Sequence, residues 1–243
     1  MRLLIIRHAD PDYEKDSLTK KGWKEAELLA DRLAALPITA FYVSTLGRAR
    51  DTASLTLKKM GREAVACDWL QEFPHLIKRP DRPGQISIPW DWLPQDWTVT
   101  DAFFGTDTWQ EDEVMQEGHV YDKYLQITEE FDRVLASHGY ERNGRYYEAV
   151  RPNRDILAFF CHFGLECVLL SHLMNTSPML LWHHTVAAPS SVTSLYTEER
   201  RPGKAIFRMN CYGDTSHLYA ADEPPAYAAR FCETWDVPEE RHD

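Results

Sequence analysis

Two histidines in this chain each stand at the end of an apolar run, and one of them follows an arginine. Residues 3–6 precede Arg7 and His8, and residues 155–161 precede His162. An imidazole can attack phosphorus as a nucleophile, and a guanidinium group can hold and orient an oxyanion. These residue types therefore suit an anion that is both bound and attacked.

The apolar runs predict where these side chains lie. Short runs of branched apolar residues are typical of buried strands in a parallel sheet. A cation or an imidazole is costly to bury without a partner, so Arg7, His8 and His162 should emerge where the strands end. Because ligands bind at the carboxyl ends of strands in open α/β sheets, we expect the three side chains to meet at one site.

A third segment brings a second arginine toward the same edge. Residues 40–43 predict a strand, and residues 47–59 predict the helix that follows it. Arg48 then lies near the N-terminus of that helix, where backbone N–H groups and the helix dipole favour anions. The alternative is a pair between Arg48 and Asp51, which at this spacing stabilises a helix by only roughly a few tenths of a kcal/mol.

Glu72 is the candidate proton donor. It follows the strand-like residues 64–70, and a protonated carboxylic acid there can give a departing alkoxide its proton. Glutamates at strand ends are more often simply solvated, so other carboxyl groups stay open as the acid. These alternatives are Asp10, Glu111 and Glu113, which lie in predicted loops.

The same five residues stand in motifs that resemble a known family. The motifs are Arg7-His8-Ala9, Leu18-Thr19 before Gly22, Ser44 and Leu46 before Arg48-Ala49 and Thr52-Ala53, His162 before Gly164, and the segment from Gly213 to Leu218. They look like the histidine phosphatase superfamily, in its phosphoglycerate-mutase-like branch. The likeness covers residues 1–72 and 155–218.

The resemblance implies a role for each residue. His8 is the nucleophile that becomes phosphorylated, Arg7, Arg48 and His162 hold the phosphoryl group, and Glu72 acts first as acid and then as base. Guanidinium forks suit this task because they neutralise and orient phosphoryl oxygens. We expect no metal or other cofactor, since the arginines and His162 supply the positive charge.

Two positions depart from the family pattern. Ala9 stands where glycine is commoner, which changes little, because alanine needs only a slightly different backbone approach. Residues 188–191 stand where the family often has asparagine, and Ser190 is there the candidate that offers a hydroxyl to the phosphate.

The remaining sequence predicts the elements that position these residues. Residues 22–36, 114–138 and 163–174 have helical spacing, residues 140–147 predict a hairpin around Asn143-Gly144, and late strands are expected at 191–197 and 205–212. Strands that alternate with helices favour an α/β fold. We predict one domain over residues 1–243, a three-layer α/β/α sandwich around a mostly parallel sheet.

Residues 73–150 are predicted to form a cap inserted in that domain. Residues 73–112 contain five prolines and four tryptophans, and a long irregular stretch this rich in aromatic residues favours an ordered segment over disorder. The tryptophans either line a lid over the substrate or form a satellite core. The basic residues among 75–82 either bind a second anionic group of the substrate or lie in a solvated loop.

Composition limits the partners. The net charge of −11 disfavours nucleic acid and anionic membranes, so a small phosphate ester is the expected partner. Five cysteines without paired spacing, and no expected signal peptide or transmembrane segment, indicate reduced thiols in the cytoplasm. His183 and His184 have no acidic or cysteine partner at ligand spacing, so no metal site is predicted. The oligomeric state stays open.

We therefore expect a metal-independent phosphomonoesterase, of the histidine acid type, that hydrolyses a small organic phosphate monoester through phosphohistidine on His8. One alternative is a phosphomutase of the phosphoglycerate type, which needs extra cations and exclusion of water. Another is a phosphate-binding regulatory protein without catalysis, although every expected catalytic position is occupied.

Overall fold

A computed structural model describes residues 1–73, 75–226, 230–237 and 239. Position 74 of the predicted cap, and positions 227–229, 238 and 240–243 of the predicted domain, lie outside the described residues. The strands are β1 (Arg2–Arg7), β2 (Pro11–Asp12), β3 (Ser17–Leu18), β4 (Ala40–Ser44), β5 (Val65–Cys67), β6 (Tyr140–Asn143), β7 (Tyr146–Ala149), β8 (Ile156–Cys161), β9 (Val192–Arg201) and β10 (Lys204–Asp214). The α-helices are α1 (Lys20–Ala34), α2 (Gly47–Met60), α3 (Pro94–Trp97), α4 (Glu113–Glu117), α5 (Val120–Ser137), α6 (Phe163–Met174), α7 (Pro178–His184) and α8 (Ser216–Tyr219).

Eight of the strands form one sheet in the order β5-β4-β8-β1-β9-β10-β7-β6. The strands β5, β4, β8 and β1 pair in parallel, whereas β9, β10, β7 and β6 continue the sheet in antiparallel pairs. The predicted α/β class is confirmed, and its parallel part is the half that carries the candidate residues.

The register of the parallel half brings the two histidines together. In the pairing of β1 with β8, Arg7 lies opposite Cys161, so His8 and His162 are the first residues beyond the two strands. The backbone N–H of His8 donates to the carbonyl of Cys161 at 3.0 Å, which extends the ladder by one bond. Neighbouring parallel strands are about 4.8 Å apart, so the two imidazoles must be close.

Both faces of the sheet are covered, as alternating side chains require. Leu4 and Ile6 of β1 pack toward α1 and α2 in one apolar cluster. Leu3 and Ile5 pack on the opposite face, in the cluster that includes side chains of α5 and α6. This burial on both sides explains why β1 is apolar at every position between its two arginines.

The predicted helix over residues 114–138 is wrong at its beginning, because the structure has two helices there. α4 ends at Glu117, and α5 starts at Val120. His119 between them has φ of 51°, in the left-handed region, and a side chain on Gly118 would place its Cβ 2.4 Å from Ile77. The close approach of Ile77 and the left-handed residue end the first helix.

The proline- and tryptophan-rich segment is tied into the main core. It contains α3 and two short 3-10 helices, Asp101–Phe104 and Trp109–Glu111. All four of its tryptophans are buried in the same apolar cluster as the sheet, so they do not form a separate core. The extent of the cap, residues 73–150, stays a prediction. Among the described residues, no helix is both long and apolar enough to cross a bilayer.

Candidate active site

His8 lies buried just beyond β1 with one ring nitrogen already engaged. Its Nδ1 donates to the carbonyl of Ala9 at 2.8 Å, which leaves Nε2 with the lone pair. Burial, and then the positive charges of Arg7 and Arg48, hold the pKa of His8 well below its usual value. The lowered pKa favours the neutral imidazole, whose free electron pair is then on Nε2.

His162 faces His8 across the strand ends. The two ring centroids are 5.0 Å apart, and the ring planes are inclined at 58°. His162 Nε2 lies 2.8 Å from the hydroxyl of Ser44, at the end of β4, whereas its buried Nδ1 has no hydrogen-bond partner among the described residues. Burial, together with the positive charges of Arg48 and Arg7, holds the pKa of His162 well below its usual value.

Arg7 is fixed by one bond and keeps donors available. Its Nη1 donates to the carbonyl of Ala187 at 2.5 Å, and the guanidinium carbon lies 5.7 Å from the centroid of the Phe163 ring. Its buried Nε has no described partner. Such an arrangement orients a fork of N–H groups without using all of them.

Arg48 is held by a loop that folds over the start of α2. Its Nη1 donates to Asp16 Oδ1 at 2.6 Å, and Asp16 Oδ2 accepts from the backbone N–H of Gly47 at 2.6 Å. A side chain at Gly47 would place its Cβ 2.0 Å from the carbonyl oxygen of Asp16, so the close approach requires glycine. The Nε of Arg48 is buried and, among the described residues, has no partner.

Glu72 sits against the first turn of α6. Its Oε1 accepts from the backbone N–H of Phe73 at 2.9 Å and from that of Leu165 at 3.1 Å, so a proton on this carboxyl group belongs on Oε2. A Cβ at Gly164 would lie 2.8 Å from Oε1, which explains the glycine two residues after His162. Burial raises the pKa of Glu72 against the opposing effects of these N–H groups and of Arg7 and Arg48.

Arg7, Arg48 and Glu72 line one pocket of about 510 Å³, which we call the arginine pocket. Its wall is completed by Tyr13, Ile88, Trp90, Asp91, Phe163, Arg230 and Phe231. Of the five residues that the sequence analysis selected, Arg7, Arg48 and Glu72 line this pocket. His8 and His162, whose rings are 5.0 Å apart, lie at the ends of β1 and β8 beside Arg7. The Nε atoms of Arg7 and Arg48 are buried without described partners, and such groups need an acceptor.

Comparison with known proteins agrees with the motifs. Residues 3–76 match the sequence model of the histidine phosphatase superfamily (branch 1). The predicted family resemblance is confirmed. No curated protein sequence matches the chain.

Solved structures of related proteins share the fold at low sequence identity. A mutant of phosphoserine phosphatase from Entamoeba histolytica, in complex with phosphoserine, superposes with a TM-score of 0.54 at 16% identity, covering 89% of this chain and 98% of that one. A mycobacterial glucosyl-3-phosphoglycerate phosphatase in complex with VO3 gives a TM-score of 0.54 at 16% identity, covering 87% and 98%. A protein named mycobacterial hydrolase 1 gives 0.57 at 20% identity, covering 88% and 98%. These similarities show that the chain shares the fold of these proteins.

Ser190 lies apart from the arginine pocket, unlike the candidate residues Arg7, Arg48 and Glu72. It is buried with φ of 60°, its backbone N–H donates to the carbonyl of His8 at 3.1 Å, and its hydroxyl lies 3.2 Å from His217 Nε2. Ser190 does not line the arginine pocket. Its backbone braces His8, and a hydroxyl bond from Ser190 to phosphate stays a prediction.

The alternative acids lie away from the pocket lining. Asp10 Oδ2 accepts from the hydroxyl of Thr19 at 2.6 Å, and Glu111 and Glu113 are exposed. Among the described residues, Asp91 is the second carboxyl group of the arginine pocket. Burial raises the pKa of its carboxyl group to about 6 against the charges of Arg79, Arg7 and Arg82.

Several supporting residues escaped the sequence analysis. The hydroxyl of Thr52 accepts from the backbone N–H of Ala9 at 3.0 Å, which fixes the turn after His8. Ser44 and Thr52 occur in the family motifs, but the motifs do not show what these side chains contact. Asp16, Tyr13 and Asp91 lie in irregular segments, where the sequence carries no periodic signal.

The basic stretch and the paired histidines have structural partners. Arg79 donates to both carboxylate oxygens of Asp81 and to the carbonyls of Trp90 and Asp91, so it is engaged within the segment. His183 Nδ1 donates to the carbonyl of Met179 at 2.7 Å, and its Nε2 accepts from the backbone N–H of Trp92 at 3.2 Å. The described part of the chain contains no group of three or more His, Cys, Asp or Glu side chains placed to hold a metal ion.

Proposed function

We propose that this protein hydrolyses the phosphate monoester of a small organic molecule through a phosphohistidine intermediate on His8. The observation that carries the proposal is that Arg7 and Arg48 line one pocket and that they and His162 each have a buried nitrogen without a described partner, beside His8, whose pKa is lowered. Buried donors without partners are costly, and a phosphoryl group offers three acceptor oxygens and a negative charge to satisfy them.

The first half of the reaction transfers the phosphoryl group to the protein. Arg7 and Arg48 neutralise and orient its equatorial oxygens, and His8 Nε2 attacks phosphorus in line with the ester oxygen. The N–P bond forms while the bond from phosphorus to the ester oxygen breaks. Glu72 gives the proton on Oε2 to the departing alkoxide, so the alcohol leaves neutral.

The second half releases inorganic phosphate. Glu72, now a carboxylate, takes a proton from a water molecule that attacks phosphorus on the side the alcohol has left. The N–P bond breaks, and the electron pair returns to His8 Nε2. Each group is then in its starting protonation state. The guanidinium groups and His162 stabilise the charge on the transferring group in both halves.

The charge arrangement supports a mechanism without a metal. Three arginines, Arg7, Arg48 and Arg230, line one pocket, and this positive charge performs the electrostatic role that a divalent cation has in other phosphoryl transfer sites. We expect the release of phosphate from a monoester to be unchanged by EDTA. A loss of activity that a divalent cation restores would contradict this part of the proposal.

A phosphomutase is the alternative within the same chemistry. It would return the phosphoryl group to a second position of the bound molecule instead of passing it to water. Incubation with 3-phosphoglycerate distinguishes the two reactions, because a phosphatase yields free phosphate and a mutase yields 2-phosphoglycerate. We expect hydrolysis of monoesters without formation of a transferred product. The 2-phosphoglycerate isomer as main product would overturn the proposal, and tight phosphate binding without any turnover would indicate the regulatory alternative.

The proposed partner is a small molecule in a reducing compartment. All five cysteines are free thiols in the structure, which supports the expected cytoplasmic location. The net charge of −11 supports a partner other than nucleic acid or an anionic membrane.

A further inference from the structure

A second cavity adjoins the arginine pocket. It has a volume of about 340 Å³, and we call it the aromatic cavity. It shares Asp91, Phe163 and Phe231 with the arginine pocket, so the two spaces meet at these side chains. The two spaces are therefore neighbours on either side of these shared side chains.

The walls of the aromatic cavity are mostly flat and apolar. They include Trp92, Leu93, Trp97, Trp182 and Val186. Trp97 stacks on the imidazole of His183 with centroids 4.7 Å apart and planes inclined at 24°. Trp92, Trp97 and Trp182 are themselves buried, so their rings are held in place by packing before any ligand binds.

Most polar groups in these walls are already satisfied. The two nitrogens of His183 bond to Met179 and Trp92. The hydroxyl of Thr185 donates to the carbonyl of Leu181 at 2.7 Å and accepts from Tyr212 at 2.8 Å. The polar groups that remain are Asp91, at the junction of the two spaces, Arg82 and the indole N–H of Trp92, which is buried without a described partner. Binding sites for small molecules commonly have this composition, with apolar walls and a few polar groups that set orientation.

We propose that the aromatic cavity binds the alcohol part of the substrate, and that this alcohol is a flat, apolar ring system larger than a single ring. The inference rests on the proposed phosphatase function. Size supports it, because a cavity of about 150 Å³ is enough to hold benzene, and this one is more than twice as large. Small polar alcohols such as glycerol would leave the indole surfaces without contact.

The test compares esters that differ in ring size but not in the chemistry of the leaving group. Phenyl phosphate and 2-naphthyl phosphate both release an aryl alcohol of similar acidity, so proton donation by Glu72 affects them alike. We expect kcat/KM of the wild-type protein to be about tenfold higher for the naphthyl ester, the scale of a modest difference in apolar contact. Glycerol phosphate should be the poorest substrate of the three.

Leu93→Glu tests whether the preference arises in this cavity. Leu93 is 45% exposed and lines the aromatic cavity, so a carboxylate there lies against bound rings without burial in the core. The ratio of the two kcat/KM values should fall to near one. Leu125→Glu is the matched control, because Leu125 is 37% exposed on α5 and does not line either cavity, and it should keep the wild-type ratio.

The outcomes separate this inference from the function on which it rests. If phosphate is released from the esters but the wild-type ratio is near one, or if Leu93→Glu keeps the tenfold preference, the aromatic cavity is not the site of the alcohol and the phosphatase proposal stands. If no ester is hydrolysed, the phosphatase proposal fails and the inference falls with it. A binding measurement with 2-naphthol, which needs no turnover, should show weaker binding to Leu93→Glu than to Leu125→Glu, and equal binding would also overturn the inference.

Discussion

The arginine pocket and the aromatic cavity meet at three side chains, yet they are held in place by different kinds of structure. His8 and His162 follow directly from β1 and β8, and the ladder of the parallel sheet continues to the backbone of His8. The aromatic cavity is walled mainly by the irregular segment before α4, by α7 and by residues near the C-terminus. There, side chains fix the backbone, as when Arg79 binds the carbonyls of Trp90 and Asp91.

This difference teaches which properties each region controls. The edge of the sheet fixes the positions of His8 and of the charged groups, whatever alcohol is attached to the phosphate. The segment that is held by side chains can change its shape when its sequence changes. Mutation of His8, Arg7 or Arg48 should therefore affect every ester alike, whereas mutation of the proposed proton donor Glu72 should depend on the leaving group. Mutations in the proline- and tryptophan-rich segment should change which ester is preferred, or the stability of the protein. The predictions below test that division, from the largest expected effect to the smallest.

His8→Ala should remove turnover for all esters without changing the fold. Loss of an enzyme nucleophile reduces kcat by a factor on the order of 10⁶, and His8 has no described hydrogen bond at Nε2 that folding would lose. Release of inorganic phosphate and the circular dichroism spectrum measure the two parts of this prediction. His119→Ala, at an exposed histidine between α4 and α5, is the control and should retain full activity. If the variant still hydrolysed some esters but not others, the loss of His8 would not affect all esters alike.

Glu72→Gln should slow alkyl esters strongly and aryl esters little. Loss of a general acid costs about 10²- to 10⁴-fold, but a leaving group that departs readily as an anion does not need the proton. Measured kcat/KM values for glycerol phosphate and a nitrophenyl ester test this contrast. An equal decrease for both esters would show that Glu72 is not the acid, and Asp91→Asn is then the next variant to measure.

The pH dependence of the same variant gives a second measurement. The wild-type rate should fall at low pH, well below 6.5, as His8 is protonated, because the pKa of His8 is lowered. It should also fall at higher pH as Glu72 loses its proton, at a value above the usual 4.5 because the pKa of Glu72 is raised. Glu72→Gln should lack the decrease at higher pH. Ionisation of the ester is the same for both proteins, so a decrease that persists in the variant would have to come from another group.

Arg79→Leu should destabilise the protein while leaving the chemistry intact. The side chains of Arg79 and Asp81 are each 1% exposed, and removal of one partner of a buried pair costs about 3–5 kcal/mol of the free energy of unfolding. The double variant Arg79→Leu with Asp81→Leu should recover most of that loss, since no buried charge remains unpaired. Urea unfolding measures both, and equal losses in the two variants would show that the unpaired charge is not the cause.

Glu25→Gln should alter how stability depends on pH. Glu25 accepts from the backbone N–H groups of Asp10 and Ala226, so it joins the loop after His8 to the chain leading to the aromatic cavity. Burial raises its pKa to about 7. The stability that the protonated carboxyl group contributes is fully present below the pKa of 4.5 that this group has in the unfolded chain. It is lost as the pH rises through the folded-state pKa of about 7. The free energy of unfolding should thus fall by about 3 kcal/mol over that range, and less so in Glu25→Gln. Identical pH profiles would contradict this.

The sequence predicts the arginine pocket far better than the aromatic cavity. Arg7, His8 and His162 follow apolar runs, and parallel strands have to bring their ends to one edge, so position along the chain translates into position in space. Arg48 is predictable because the residue lies at the start of a helix that follows a strand. Asp16 and Tyr13 are not, because a loop without periodicity decides their place.

The proline- and tryptophan-rich segment shows what the sequence does not predict. Its tryptophans predict order but not direction, and nothing in the sequence distinguishes Trp109, packed in the core, from Trp97, which also lines the aromatic cavity. The break between α4 and α5 depends on how closely Gly118 approaches Ile77, a contact between distant positions. Ser190 shows the same limit, since its backbone supports His8 while its hydroxyl meets His217.

Trapping of the phosphorylated protein tests the central claim most directly. The protein is mixed with a radiolabelled aryl phosphate, quenched during turnover in alkali, which preserves phosphohistidine, and digested for mass spectrometry. The account predicts the phosphoryl group on His8, and no label on His8→Ala. A phosphoryl group on His162 or on another residue, or hydrolysis that proceeds with no labelled protein at any quench time, would contradict it.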